Sequence, residues 1–180
     1  MDCCAPALSG RFCHWPRTAH LTLWAVTVIG LCVAHAQAAE LTGVTENPPP
    51  SRADARLHEQ LARLKNRPVL INFWATWCEP CREEMPGLQR LSDRWGDKGL
   101  AVVTVAVADN TTRVEDFLWE IGAALPVIHD HAQGLSRSWG ARVLPTTLIL
   151  DRRHRIRLRG QGAVDWDNPV IDQQLQPLLK

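Results

Sequence analysis

Two cysteines separated by two residues, Cys78 and Cys81, stand where an apolar run gives way to a long helical pattern. The run Pro68-Val69-Leu70-Ile71-Asn72 reads as a short buried strand. The segment Phe73-Trp74-Ala75-Thr76-Trp77-Cys78-Glu79-Pro80-Cys81 follows it and leads into the helix. A helix start carries unpaired N–H groups and a partial positive charge. Both favour a thiolate, the reactive form of cysteine, so Cys78 is expected to ionise readily. The spacing lets Cys81 reach Cys78 within one helical turn, so the pair can close a disulfide and reopen it. That is redox chemistry.

Two other uses of such a pair have to be weighed. Half of a zinc site would need a second pair of ligands. Beyond residue 39 there is no third cysteine, and His129 and His131, one residue apart, are poorly spaced to complete a site. A purely structural disulfide closing so small a loop would constrain the unfolded chain little.

The chain has 180 residues and six cysteines, and the position of the cysteines is informative. Cys3, Cys4, Cys13 and Cys32 lie in the first 33 residues; only Cys78 and Cys81 lie beyond. Arg11 and Arg17 make a basic leader, Leu21–Ala34 is a mostly apolar run, and Ala34-His35-Ala36 and Ala36-Gln37-Ala38 are small-x-small cleavage patterns. Residues 1–36 therefore read as a secretory signal peptide. The run spans 14 residues, short of the roughly 20 that a membrane-spanning helix needs. An uncleaved inner-membrane anchor through residues 21–34 stays open. Removal of residues 1–36 takes away two arginines and one aspartate and leaves a formally neutral chain with one cysteine pair. Neutrality gives no sign of nucleic-acid binding. An exported chain meets an oxidising compartment, the bacterial periplasm, where a lone pair of this kind is a tool rather than a staple.

Glu40–Ser51, with Pro48-Pro49-Pro50, reads as an extended linker, so residues 37–51 are assigned as a Pro-rich linker and 52–180 as the folded domain. Leu57, Leu61 and Leu64 mark a helix over 52–66. A second helix, from about Glu79 to Trp95, has Met85, Leu88, Leu91 and Trp95 on its apolar stripe and Pro86 inside it. Leu100–Ala108 is an apolar run typical of a central parallel strand. Asp109-Asn110-Thr111-Thr112 supplies a loop and a cap for a helix marked by Val114, Phe117, Leu118 and Ile121. A short strand is expected near Val127–Asp130, a short helix over Gln133–Trp139, and a hairpin of Thr146–Leu150 with Arg155–Arg159. A last helix runs from about Pro169 to Leu179, weakened by Pro177. Arg153, Arg155, Arg157 and Arg159 alternate, which on a strand puts them on one face. They read as a charged edge strand or as a docking face for an acidic partner or anionic membrane.

Three stretches, in order, resemble the thioredoxin fold and, more closely, its exported TlpA/ResA-like branch. They are Val69–Cys78, Cys81-Arg82-Glu83-Glu84-Met85-Pro86 and Val143-Leu144-Pro145-Thr146-Thr147-Leu148-Ile149-Leu150-Asp151. The resemblance covers about residues 66–168 and implies an α/β three-layer sandwich with a central mixed sheet flanked by helices. It implies a cis Leu144–Pro145 peptide facing the cysteines, whose preceding backbone can pair with an extended substrate. Taken alone, Pro145 would be an ordinary strand-start proline. It also suggests a role for Glu84, three residues after Cys81, in taking or holding that cysteine's proton; the alternative is a solvated surface glutamate. Trp77, Glu79 and Pro80 join Leu144 and Pro145 as candidate substrate contacts. Two features depart from the pattern. Asn72 stands where thioredoxin has a buried aspartate, and the opening hairpin of the branch is not evident, the helix at 52–66 standing in its place.

The resemblance implies a thiol–disulfide oxidoreductase using no metal or other cofactor. Its expected partners are client protein disulfides, such as those of apo-cytochrome c or copper-site proteins, and a membrane thiol–disulfide electron donor. A dithiol oxidase that inserts disulfides, and a copper-binding assembly factor using the cysteines as soft ligands, remain as alternatives.

Overall fold

In the computed structural model, Val69, Ile71 and Phe73 point to one side of the sheet and Leu70, Asn72 and Trp74 to the other, all fully buried. A strand apolar on both faces has to be covered on both, and that requirement organises the molecule. The structure describes residues 39–47, 50 and 55–180. The strands are β1 (Thr42–Asn47), β2 (Val69–Trp74), β3 (Ala101–Val107), β4 (Val127–Asp130), β5 (Thr146–Leu150) and β6 (Ile156–Gln161). The helices are α1 (Ala55–Arg63), α2 (Glu79–Gly96), α3 (Thr111–Glu120), α4 (Gly134–Ser138) and α5 (Pro169–Leu175), the last followed by a 3-10 turn over Gln176–Leu178.

The sheet runs β1-β6-β5-β2-β3-β4. Strands β2, β3 and β4 are parallel; β5 is antiparallel to β2, β6 to β5, and β1 to β6. On one face, Leu70, Trp74, Val102 and Ile149 pack against Met85, Leu88 and Leu91 of α2, Val114 and Phe117 of α3, and Ile171 and Leu175 of α5. On the other, Val69, Ile71, Phe73, Val103, Val105 and Leu148 pack against Leu57 and Leu61 of α1 and Leu135 of α4. This is the expected three-layer α/β sandwich. Asn110 caps α3 by accepting from Arg113 N, Gly140 (φ 70°) follows α4 in the left-handed region, and α2 continues through Pro86.

Three expectations need correction. Thr42–Asn47 is not a linker in polyproline form: it is β1, hydrogen-bonded to β6 with Thr42 opposite Arg159. The sheet therefore opens with a strand as well as with α1. Since β1 covers β6, the arginine-bearing strand is not an edge; β1 and β4 are. The arginines are also not a free stripe. Arg155 and Arg157 pair with Asp151 at 2.8 and 3.4 Å, and Arg159 donates to Trp139 O and Gly140 O at 3.1 and 3.2 Å. The signal-peptide and anchor expectations for residues 1–36 lie outside the described residues. Among the described residues no helix is long and apolar enough to cross a membrane.

Candidate active site

The three parallel strands end at one edge of the sheet, and the loops that follow them meet there. The turn Ala75–Trp77 leaves β2 and delivers Cys78 as the residue that begins α2. Cys78 N donates to Ala75 O at 3.2 Å, and Arg82 N closes the first helical bond to Cys78 O at 3.1 Å. Pro80 has no N–H, so the first turn of α2 after Cys78 offers only the amides of Glu79 and Cys81. An 18-residue helix adds its dipole behind them. Cys78 is 8% exposed and Cys81 fully buried. A disulfide joins them, with Cα atoms 5.3 Å apart. Solvent touches Cys78 and not Cys81.

The loop ahead of Cys78 is held by Asp109, the second residue after β3. Its buried carboxylate accepts from Thr76 N at 2.5 Å, Thr76 Oγ1 at 3.0 Å and Asn110 N at 2.8 Å. Trp77 Nε1 donates to Ala108 O at 3.2 Å, which fixes an indole that is otherwise 58% exposed. His131 at the end of β4 reaches the same loop, its Nδ1 lying 2.8 Å from Asp109 O. The His129 and His131 rings stack with centroids 5.6 Å apart, and among the described residues no three His, Cys, Asp or Glu side chains converge as a metal site.

Glu84 is not a surface glutamate. It is 5% exposed, on the buried side of α2. Its Oε1 accepts from Asn72 Nδ2 and its Oε2 from Val164 N, both at 2.8 Å. Burial pushes its carboxyl up to about 7, while the Val164 and Asn72 hydrogen bonds oppose the rise. Asn72 donates also to Thr147 Oγ1 at 3.0 Å. The departure at position 72 thus has a structural use: a donor there orients the Glu84 carboxylate, where an aspartate would repel it. Val164 is brought over Glu84 by the segment leading into α5. Arg94 Nη2 holds Trp166 O at 2.9 Å, and Trp95 Nε1 and Arg94 Nη2 hold Asp172 Oδ1 at 2.6 and 3.1 Å.

The remaining candidates divide by position. Glu79 is exposed and pairs with Arg82 at 3.2 Å; Pro80 is exposed beside it. The Leu144–Pro145 peptide is cis. Phe73 pairs with Thr146, so one step along the register sets buried Pro145 at the Trp74 end of β2, the end from which Cys78 follows. Half-buried Leu144 lines a cavity that Trp77 also lines. Sequence reasoning missed Asp109 and the Val164–Trp166 segment as parts of the site. An acid closing the mostly apolar run Leu100–Ala108 was a usable signal for Asp109; Val164 acts through its backbone, which has no residue-type signature.

The Redoxin family model matches residues 52–175. The thiol-disulfide oxidoreductase ResA of Oceanobacillus iheyensis is 34% identical over 121 residues, 64% of this chain and 63% of that protein. The ResA of Geobacillus thermodenitrificans is 30% identical over 128 residues, 71% of this chain and 72% of its own length. The chain spans less than two thirds of the first of these relatives. Among solved structures, a secreted thiol-disulfide isomerase from Corynebacterium glutamicum superimposes with a TM-score of 0.59 at 32% identity, covering 66% of this chain and 74% of that one.

Proposed function

This chain belongs to the Redoxin family, and from that premise we propose that it is an exported thiol–disulfide oxidoreductase that reduces disulfides of client proteins in the periplasm. The observation that carries the reading is a cysteine at the start of a long helix, slightly exposed and joined to a fully buried partner. In the reduced protein the Cys78 thiolate attacks one sulfur of a client disulfide. The client S–S bond breaks, its other sulfur leaves as a thiolate, and a Cys78–client mixed disulfide forms. Cys81 then attacks Cys78 Sγ, the client's second sulfur leaves, and the two protein sulfurs end oxidised as the client ends reduced.

Cys81 is buried and has to lose a proton to attack. We assign that proton to Glu84, one helical turn along α2, whose raised carboxyl is near half-ionised at neutral pH. Trp77, Glu79, Pro80, Leu144 and Pro145 would contact the client, its extended backbone lying along the Leu144–Pro145 segment. No metal or other cofactor enters the scheme. An oxidising compartment drains electrons from such a pair, so a membrane thiol–disulfide electron donor has to re-reduce it. The clients that fit are cysteine pairs that must be reduced before haem or copper is attached, as in cytochrome c and copper-site maturation.

Two experiments test this. Cys81→Ser should accumulate a mixed disulfide with the client; failure to do so, with Cys78 still reactive towards a small disulfide, would remove the exchange mechanism. The equilibrium potential of the pair against glutathione sets the direction. A value of about −250 mV or lower fits a reductant, and one of about −120 mV would mean an oxidase.

A further inference from the structure

We propose that the groove beside Trp77 selects client segments carrying a carboxylate two or three residues from the attacked disulfide. The inference rests on the exchange reading above and names the substrate class for it. A cavity of about 300 Å³ opens against the Trp77 indole. Val107 and Ala141, both buried, and Leu144 give it apolar walls, and Arg137 and Arg142 stand on it. Among the described residues no acidic side chain lines it.

The two arginines supply charge that the protein does not neutralise. Arg137 donates through Nε to Gln133 O at 2.8 Å and through Nη2 to Ala132 O at 2.5 Å. Carbonyls fix its direction and leave its charge uncancelled. Arg142 is exposed and makes no hydrogen bond or ion pair among the described residues. Two buried acids nearby are already used: Asp109 on Thr76 and Asn110, and Asp130, the last residue of β4, on Leu135 N and Ser136 N at 3.2 and 2.7 Å. The loop behind the groove is tied down by Arg159 on Trp139 O and Gly140 O, and the indole by Ala108 O, so the walls stand in place before a client arrives.

Trp77 directly precedes Cys78, and an extended chain advances about 3.3–3.6 Å per residue. A client whose sulfur sits on Cys78 therefore brings its second or third neighbour to the groove. An apolar stem would lie on Trp77 and Leu144 while a terminal carboxylate meets the guanidinium groups, the pairing to which arginine geometry is suited.

The test uses the full chain, reduced, and three peptides that differ only at the second and third positions from a single cysteine: glutamate, glutamine or lysine. Each peptide cysteine is held as a mixed disulfide with an aromatic thiol. Attack by Cys78 on the peptide sulfur releases that thiol as a coloured thiolate, and closure of Cys78–Cys81 frees the reduced peptide, so two electrons pass from protein to substrate. At low salt the glutamate peptide should react about three- to fivefold faster than the glutamine peptide and the lysine peptide slowest, the spread closing as salt rises. Arg142→Glu, which leaves Arg137 opposed by an acid, should abolish the preference, and Arg142→Gln should narrow it. Equal rates for the three peptides with the unaltered protein, or an order untouched by Arg142→Glu, would overturn the groove proposal and leave the exchange chemistry standing. Release from none of the peptides would overturn both.

Discussion

A carboxyl group removed from water ionises only as far as hydrogen bonds replace the lost hydration, and at Glu84 two such bonds leave the balance on the protonated side. Its pKa is raised from 4.5 to about 7 on folding. The folded chain therefore binds more protons here than the unfolded chain between those values, and this group's contribution to stability is full below about 4.5 and lost as pH rises towards 7. The loss is on the order of 3 kcal/mol. In Glu84→Gln, urea-unfolding free energies should vary less with pH across this window than in the unaltered protein, and identical slopes would remove the assignment. The variant is expected to fold, because the unpartnered Asn72 Oδ1 can accept from the new amide if the Asn72 side chain turns over. Asp109→Ala acts differently. It strips partners from Thr76 N and Asn110 N and should cost about 1–3 kcal/mol, read as a lower urea midpoint.

At the scale of elements, α2 and β1 show two kinds of legibility. The α2 stripe of Met85, Leu88, Leu91 and Trp95 is written at helical spacing, and all four are buried as that spacing requires. β1 has no such signature: Thr42-Gly43-Val44-Thr45-Glu46-Asn47 is polar and breaks register between Gly43 and Asn47. It is a strand because β6 offers it unpaired backbone groups. Deleting Thr42–Asn47 should uncover that edge of β6. The truncated protein should melt at a lower temperature and scatter light increasingly with concentration; unchanged behaviour would mean that β1 is dispensable to the sheet.

For the whole molecule, the parallel strands β2, β3 and β4 end together and place Thr76, Asp109 and His131 in one cluster of loops. The cysteine pair thus sits at the edge of the sheet, braced by the neighbouring loops, rather than on an isolated helix end. Folding and redox state are then linked: if the pair is a reductant, the oxidised protein must be more stable than the reduced one. Each 30 mV of potential below that of the unfolded pair corresponds to about 1.4 kcal/mol. Paired urea titrations of the two forms should show that sign, and a more stable reduced form would reverse the proposed direction of exchange.

The sequence by itself determined what depends on neighbours along the chain. The Cys78–Cys81 spacing, the helix that begins there, the doubly buried run of β3 and the cap at Asn110 are local, and each is found where its residues predict it. The resemblance of the three motifs carried the fold and the position of Pro145 further than spacing alone could. Only the tertiary structure decided that Glu84 is buried between β2 and Val164, that Asp109 holds the turn before Cys78, and that Arg155, Arg157 and Arg159 are engaged by Asp151 and by backbone carbonyls. The physical reason is the same in each case. Hydrogen bonding and desolvation act on whichever groups the packed sheet brings together: the partners of Glu84 lie 12 and 80 residues away in the chain, and Thr76 lies 33 from Asp109.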